Sequence, residues 1–550
     1  FLGRAGADSR RLGSLCLLLC FQSYTISPDG RPNMGSLRCS RINIFARALV
    51  AIAVSFCCWP GAASTIIAAR NVPAFSGSVS PVPGSFVARS SDFDASAVDT
   101  FVLQRMKAAD IVGLSVGVMQ NGEVVYAKAF GRSSLVPNAT VGPNTMFGVG
   151  SVTKQFTAAC VLLLQEEGKL SVNDKVATYY SDLTSAGDMT LLDLMSMQSG
   201  YPDYYPLDFV DRRMARPIAP DKLIHDYASS KLDFPPRTRW SYSNTGYIIL
   251  GRIVEKVSGE SFGSFVTSRI FQPLGMEHTV YQPVGSGKGL ARGYTSFALG
   301  PAEPAVPEAK GWAATAGAIY STPSDLLKWD QALMDGKVLK AESYSLMTSS
   351  RKLVDGSETN YGCGQGVSLI NGTKVLSHGG AVSGFIAQNT LIPANWSAVV
   401  VLSNCESSDG IDEVNRKLVS LVFPKPKNET AGAEKQGKPQ PETRRDIPVI
   451  SGPAAAEAAK SFLRQLQTGK VERAGLGSEY SYFLTPAKVR GAMQRLGPYG
   501  EPVGAELKGT AERGGMEVAV IRFTFKSGAL RALMYRAPDG KIQEFLIQKA

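Results

Sequence analysis

The sequence is poor in the residues that build metal centres and redox frameworks. It has three histidines, His225, His278 and His378, and eight cysteines, five of which (Cys16, Cys20, Cys39, Cys57 and Cys58) fall in the first 64 residues. Cys160, Cys363 and Cys405 remain, too scattered for a zinc-ligand spacing or a disulfide framework. Cys363 and Cys405 could pair in an oxidising compartment, but buried thiols are the plainer expectation. The Gly-rich turn that opens a nucleotide-binding helix is missing as well, so no metal and no cofactor is expected. Charged residues make up only 19% of the chain, and no Lys/Arg-rich block is interleaved with aromatics. Residues 1–63 hold seven Arg and two Asp, so +5 of the net charge of +11 sits there and +6 is left for everything else. Basicity distributed in this way excludes nucleic acid as a partner.

At 550 residues and 44% hydrophobic content, the chain is too long for one small core and too apolar for a disordered polymer, and two globular units are expected. The chain opens with Phe1, and Met34 is read as the start of translation. Arg38, Arg41 and Arg47 then precede the apolar run 48–56, and Pro60-Gly-Ala-Ala-Ser64 offers small residues for cleavage. The run falls short of the ~20 residues that span a bilayer. Residues 1–64 therefore read as a leader with a signal peptide, which implies a secreted or periplasmic protein with no stable membrane span after cleavage. Neither Cys57 nor Cys58 follows the small residue that a lipoprotein cleavage site wants.

Residues 65–97, rich in Ser, Pro, Gly and Val, form an extended entry segment. Two strand-like runs flank Asn121-Gly122, a dipeptide that favours a type I′ hairpin turn. From about Thr145 to Leu333 the pattern is mostly helical, and strand signals return over Gln365–Lys374, Phe385–Ile392 and Ser397–Leu402. An α+β domain over 98–423 follows, with a largely antiparallel sheet assembled from both ends and helices between. Residues 424–450 carry Lys, Pro, Glu, Gly and Gln with few apolar residues, as a solvated linker does. Residues 451–550 read as a small α+β module: a helix over Ala454–Leu466, then alternating strands with a turn at Ser527-Gly528.

The chemistry lies in Phe147-Gly-Val-Gly-Ser151-Val-Thr-Lys154-Gln-Phe156. Phe156, Ala159, Cys160, Leu163 and Leu164 recur at helical spacing and predict one core-facing stripe, which Gly168 is placed to terminate. Ser151 and Lys154, three residues apart, share a face at the helix start, where the amine reaches the hydroxyl and unpaired backbone N–H groups can hold an oxyanion. Ser-x-x-Lys alone is weak, and Ser349–Lys352 is a second copy without such a helix. The first copy gains weight from Tyr242-Ser243-Asn244 and His378-Gly379-Gly380, which follow in order. Those glycines permit close backbone approach along a strand edge.

With these three motifs the chain resembles the serine β-lactamase-like superfamily, the class C β-lactamase and penicillin-binding protein-related serine hydrolases, in a His-Gly-Gly variant. The similarity runs from about Val112 to Asn404 and takes in Gly168-Lys-Leu-Ser171, Pro273-Leu-Gly-Met276 and Ser321-Thr-Pro-Ser-Asp325. The resemblance implies a β-lactamase/transpeptidase-like fold with a helical subdomain. It also implies an acyl-enzyme on Ser151, with Lys154 and Tyr242 as joint acid/base partners once a neighbouring charge or burial shifts their pKa values. Asn244, His378, Gly379 and Gly380 would bind the substrate, and the backbone N–H groups of Ser151 and Ala381 would form the oxyanion hole. The module at 451–550 somewhat resembles NTF2-like accessory domains and is a candidate for binding a protein partner.

The family's usual Lys-Thr-Gly offers a permanent cation where this chain has His378. Peptidase or esterase action on D-amino acid peptides or esters is therefore expected ahead of β-lactamase or DD-carboxypeptidase action on cell-wall precursors. A non-catalytic, penicillin-binding or regulatory role is the other alternative. Met195-Ser-Met-Gln-Ser-Gly200 also departs from the family's usual Leu-Thr-His-Thr-Ser-Gly. Gly-x-Ser-x-Gly occurs around Ser115 and Ser261, but neither copy stands between a strand and a helix as an α/β-hydrolase requires.

Overall fold

A computed structural model describes residues 93–424 and 447–550, apart from 206, 208–210, 284–286, 288 and 407. The leader expected to carry a signal peptide, most of the expected entry segment and most of the expected linker lie outside the described residues, which belong to one compact unit, Phe86–Ala550.

Seven antiparallel strands form the main sheet, in the order 139–140, 123–134, 113–120, 397–403, 385–392, 373–382, 366–370. The two ends of the 98–423 segment thus meet at its centre, where Leu114–Met119 pairs with Ala398–Ser403. The Asn121-Gly122 hairpin adopts positive φ at both residues (55° and 81°), the geometry a type I′ turn demands. Strand 397–403 is buried on both faces, and its alternation divides two cores. Val399 and Val401 meet helices Ala95–Ala108 and Ser408–Val422 on one side, while Ala398, Val400 and Leu402 meet the long middle section on the other.

Two details differ from the sequence reading. Gln365–Lys374 is two strands, because Asn371 and Gly372 (φ 50° and 74°) turn the chain between Gly366–Ile370 and Thr373–Val382. Helix Thr153–Glu166 has no solvent-facing stripe over its first ten residues: Thr153 to Leu162 are all buried, polar ones included. Helix Asn244–Ser258, the short helices Ala314–Gly317 and Ala341–Met347, and Trp329 of helix Pro323–Met334 enclose it, so periodicity reported only its apolar half.

The C-terminal strands 504–513, 516–525, 528–536 and 542–549 form an antiparallel meander packed against helices Ala455–Thr468 and Pro486–Leu496. A buried ion pair, Arg536 to Glu517 at 2.5 Å, lies within it. Cys160, Cys363 and Cys405 are buried thiols with no disulfide between them. No helix among the described residues is long and apolar enough to cross a membrane.

Candidate active site

Ser151 lies in a single 3-10 turn, Gly150–Val152, that leads directly into helix Thr153–Glu166. Gly150 takes φ +50°, and a Cβ there would stand 2.7 Å from the Ala381 nitrogen. A Cβ on Gly380 would stand 2.0 Å from the Val149 carbonyl oxygen and 3.2 Å from the Ser151 nitrogen. Two glycines are therefore what lets strand 373–382 lie flat against the Ser151 turn, with the Ser151 and Ala381 backbone nitrogens brought close together. Strand 366–370 pairs only as far as Ser377, so residues 378–382 present a sheet edge on that side.

Lys154 is fully buried, with Nζ 3.0 Å from Ser151 Oγ, 2.7 Å from Asn244 Oδ1 and 2.7 Å from the Ala316 carbonyl oxygen. Asn244 Nδ2 donates to the Asp203 carboxylate at 3.0 Å, which fixes the amide so that its oxygen faces Lys154. The two purely accepting partners take two N–H bonds. The third partner, Ser151 Oγ, accepts from an ammonium or donates its O–H to the lone pair of a neutral amine, so the geometry serves both protonation states. Burial drives Lys154 well below the ordinary lysine range, opposed by Asp203 and assisted by Arg513.

Tyr242 stands over this pair, its ring centroid 4.9 Å from Lys154 Nζ. Its hydroxyl is buried without a hydrogen-bond partner. Burial raises its pKa, and the neighbouring Ser151 hydroxyl and Arg513 offset part of that rise. Ser243 N–H reaches the Met197 sulfur at 3.3 Å and Ser241 N–H the Met197 carbonyl at 3.1 Å, so the unusual Met195–Gly200 segment cradles the Tyr242 loop.

His378 has both nitrogens engaged: Nδ1 lies 2.5 Å from the Gly379 carbonyl, so it carries the proton, and Nε2 accepts from Tyr361 at 2.9 Å. Burial and the nearby Lys154 depress its pKa to about 4, leaving it neutral at pH 7. Neither serine of the two Gly-x-Ser-x-Gly copies sits on a strand-to-helix elbow, since Ser115 lies within strand 113–120 and Ser261 caps a short helix. The second Ser-x-x-Lys places Lys352 at the surface, 3.6 Å from Glu358.

Sequence reading missed Asp203, Tyr361, Glu512 and Arg513. Asp203 accepts the Asn244 backbone N–H at 3.0 Å at the start of helix Asn244–Ser258, where a carboxylate is favoured. Only its place just after Gly200 hinted at it. Glu512 and Arg513 come from the C-terminal meander, whose sequence carries no motif.

A serine and a desolvated lysine at a helix start, beside a sheet edge and under a buried tyrosine, define a serine hydrolase of the β-lactamase and penicillin-binding protein type. The chain belongs to the Beta-lactamase family, whose model matches residues 98–422. It is 30% identical to PbpX of Bacillus subtilis over 306 residues, 56% of this chain and 74% of that protein. It is 28% identical to a D-aminopeptidase of Brucella anthropi over 343 residues, 62% of this chain and 64% of that one. In fold it is similar to the octameric penicillin-binding protein homologue from Pyrococcus abyssi (TM-score 0.55, 20% identity), over 83% of this chain and all of the other.

Proposed function

We propose that the protein is an exported hydrolase of small amides and esters, D-amino acid peptides or esters foremost, working through an acyl-enzyme on Ser151. Neutral Lys154 takes the hydroxyl proton as Ser151 Oγ attacks the carbonyl carbon, and the Ser151 and Ala381 N–H groups hold the oxyanion. Tyr242 and Lys154 together pass the proton to the departing amine or alkoxide. Water then adds to the ester, giving its proton back along the same path and releasing the acid and free Ser151. Asn244 and the edge at His378–Gly380 align the substrate. One observation carries this reading: Lys154 Nζ is fully buried 3.0 Å from Ser151 Oγ, where desolvation favours the uncharged amine.

The amide class is supported by similarity to a D-aminopeptidase, and the uncharged His378 argues against tight capture of a β-lactam carboxylate from the strand. Export rests on residues 1–64 and the C-terminal module's partner on sequence pattern alone. The test is a fluorophosphonate probe on the wild type and on Ser151→Ala. Labelling of the wild type only is expected, together with ester turnover faster than nitrocefin turnover; equal labelling of both proteins rejects the nucleophile.

A further inference from the structure

The turn between strands 504–513 and 516–525 of the C-terminal meander lies against the active site. Glu512 accepts from Ser241 Oγ at 2.8 Å, one residue from Tyr242, and from Gly515 N–H at 2.8 Å within its own turn. Arg513 donates to the Tyr205 carbonyl at 3.1 Å, two residues from Asp203, and to the Tyr535 hydroxyl at 3.2 Å. Gly514 and Gly515 take positive φ (56° and 73°), which makes the turn tight enough to enter. We propose that this turn is a working wall of the cleft and that Arg513 is a positioning residue for the Ser151, Lys154 and Tyr242 chemistry, its fixed positive charge holding the pair ready for proton transfer. The inference rests on the serine hydrolase reading above.

Two ionised groups of opposite sign face the pair. Asp203, tied to Lys154 through Asn244, favours the protonated amine and the protonated phenol. Arg513 acts the other way on both, and a guanidinium keeps its charge at every pH of interest. Among the described residues, His378 and the phenols of Tyr204, Tyr247 and Tyr361, which burial keeps protonated, also face the pair and are uncharged, and the Glu512 carboxylate stands beside Tyr242 on Ser241. Asp233 has its pKa raised to about 6 by burial and by Glu512 and Asp203, with Arg239 acting against them. Asp203 alone would leave the base protonated over more of the neutral range. A cation from another part of the chain offsets it, and the bonds to Ser241 and Tyr205 fix where that cation stands.

The readout is the second-order rate of Ser151 phosphonylation by a fluorophosphonate as a function of pH, which requires no knowledge of the substrate. In the full-length protein, Arg513→Gln is expected to move the acidic limb, where Lys154 gains its proton, to higher pH by about one unit, a loss of about tenfold at pH values below both midpoints. Arg513→Lys restores the limb. Ser241→Ala, which removes the hydroxyl that holds Glu512 and leaves every charge in place, shifts the limb in the same direction and carries the test should Arg513→Gln not fold. A uniform drop in rate with an unmoved limb, or Arg513→Lys behaving as Arg513→Gln, overturns the proposal while leaving Ser151 as nucleophile. Absence of Ser151-dependent labelling in the wild type at any pH rejects the parent reading instead.

Discussion

At the level of single residues, the site is governed by which polar groups are given partners and which are denied water. His378 illustrates this apart from Lys154 and Tyr242. Its folded pKa of about 4 lies below the 6.5 of an unstructured histidine, so the unfolded chain binds a proton that the folded one refuses. The sign follows: this contribution to stability is whole above pH 6.5 and is lost as pH falls towards 4, at a cost of about 3 kcal/mol. His378→Gln, which cannot take up that proton, is expected to lose less melting temperature than the wild type between pH 7 and pH 4.5, as thermal melts would show; equal losses would deny the burial effect. Residues of this kind also mark the limit of what sequence discloses. Ser151, Lys154, Tyr242, Asn244 and His378 each stand within a run of three or four letters, because a helix start or a strand edge forces neighbouring chemistry into neighbouring positions. Asp203 and Tyr361 touch that chemistry only through folded space, one by the Asn244 amide and the other by the His378 ring, and nothing local announces them.

Between elements, the decisive contact is strand 373–382 against the turn at Ser151. A pair of adjacent glycines separates packing from chain flexibility there. Adding a Cβ to Gly380 brings it to 2.0 Å from the Val149 carbonyl, backbone that cannot swing aside. At Gly379 the nearest atoms are at the end of the Gln388 side chain, 3.3 Å away and able to yield. Gly380→Ala should therefore push the strand off the nucleophile turn and slow Ser151 labelling by about 100-fold, the penalty of an ångström-scale misplacement. Gly379→Ala should stay close to wild type, and a similar loss in both variants would point to glycine flexibility instead of close approach. The sheet's order was partly readable for a similar reason. Alternation and Asn-Gly turns are local, so the 113–134 hairpin is visible in sequence. The Asn371-Gly372 turn passes unnoticed because the strand before it is short and ends in the exposed residues Ser368–Ile370.

For the whole molecule, the linker composition suggests two independent beads, whereas the described residues interlock. Phe297 and Ala298, from the family domain, are buried in the C-terminal core. Phe297 meets Phe483 edge-on at 5.5 Å, and Arg495 binds the Phe297 and Ala298 carbonyls at 2.9 and 2.8 Å. Charged pairs also cross this boundary, among them Arg212 to Glu479 at 2.7 Å and Lys549 to Asp110 at 2.8 Å, but they lie in solvent, where such pairs contribute little. Apolar burial should therefore hold the meander, and with it Arg513, against the cleft. Phe297→Ala removes a buried ring and is expected to destabilise the contact by about 3 kcal/mol. One melting transition should then separate into two, with the acidic limb of Ser151 labelling displaced as in Arg513→Gln. Arg212→Ala should change neither the melt nor the limb. If instead Arg212→Ala splits the transition and Phe297→Ala does not, the interface is electrostatic, and raising the salt concentration would release the turn from the site.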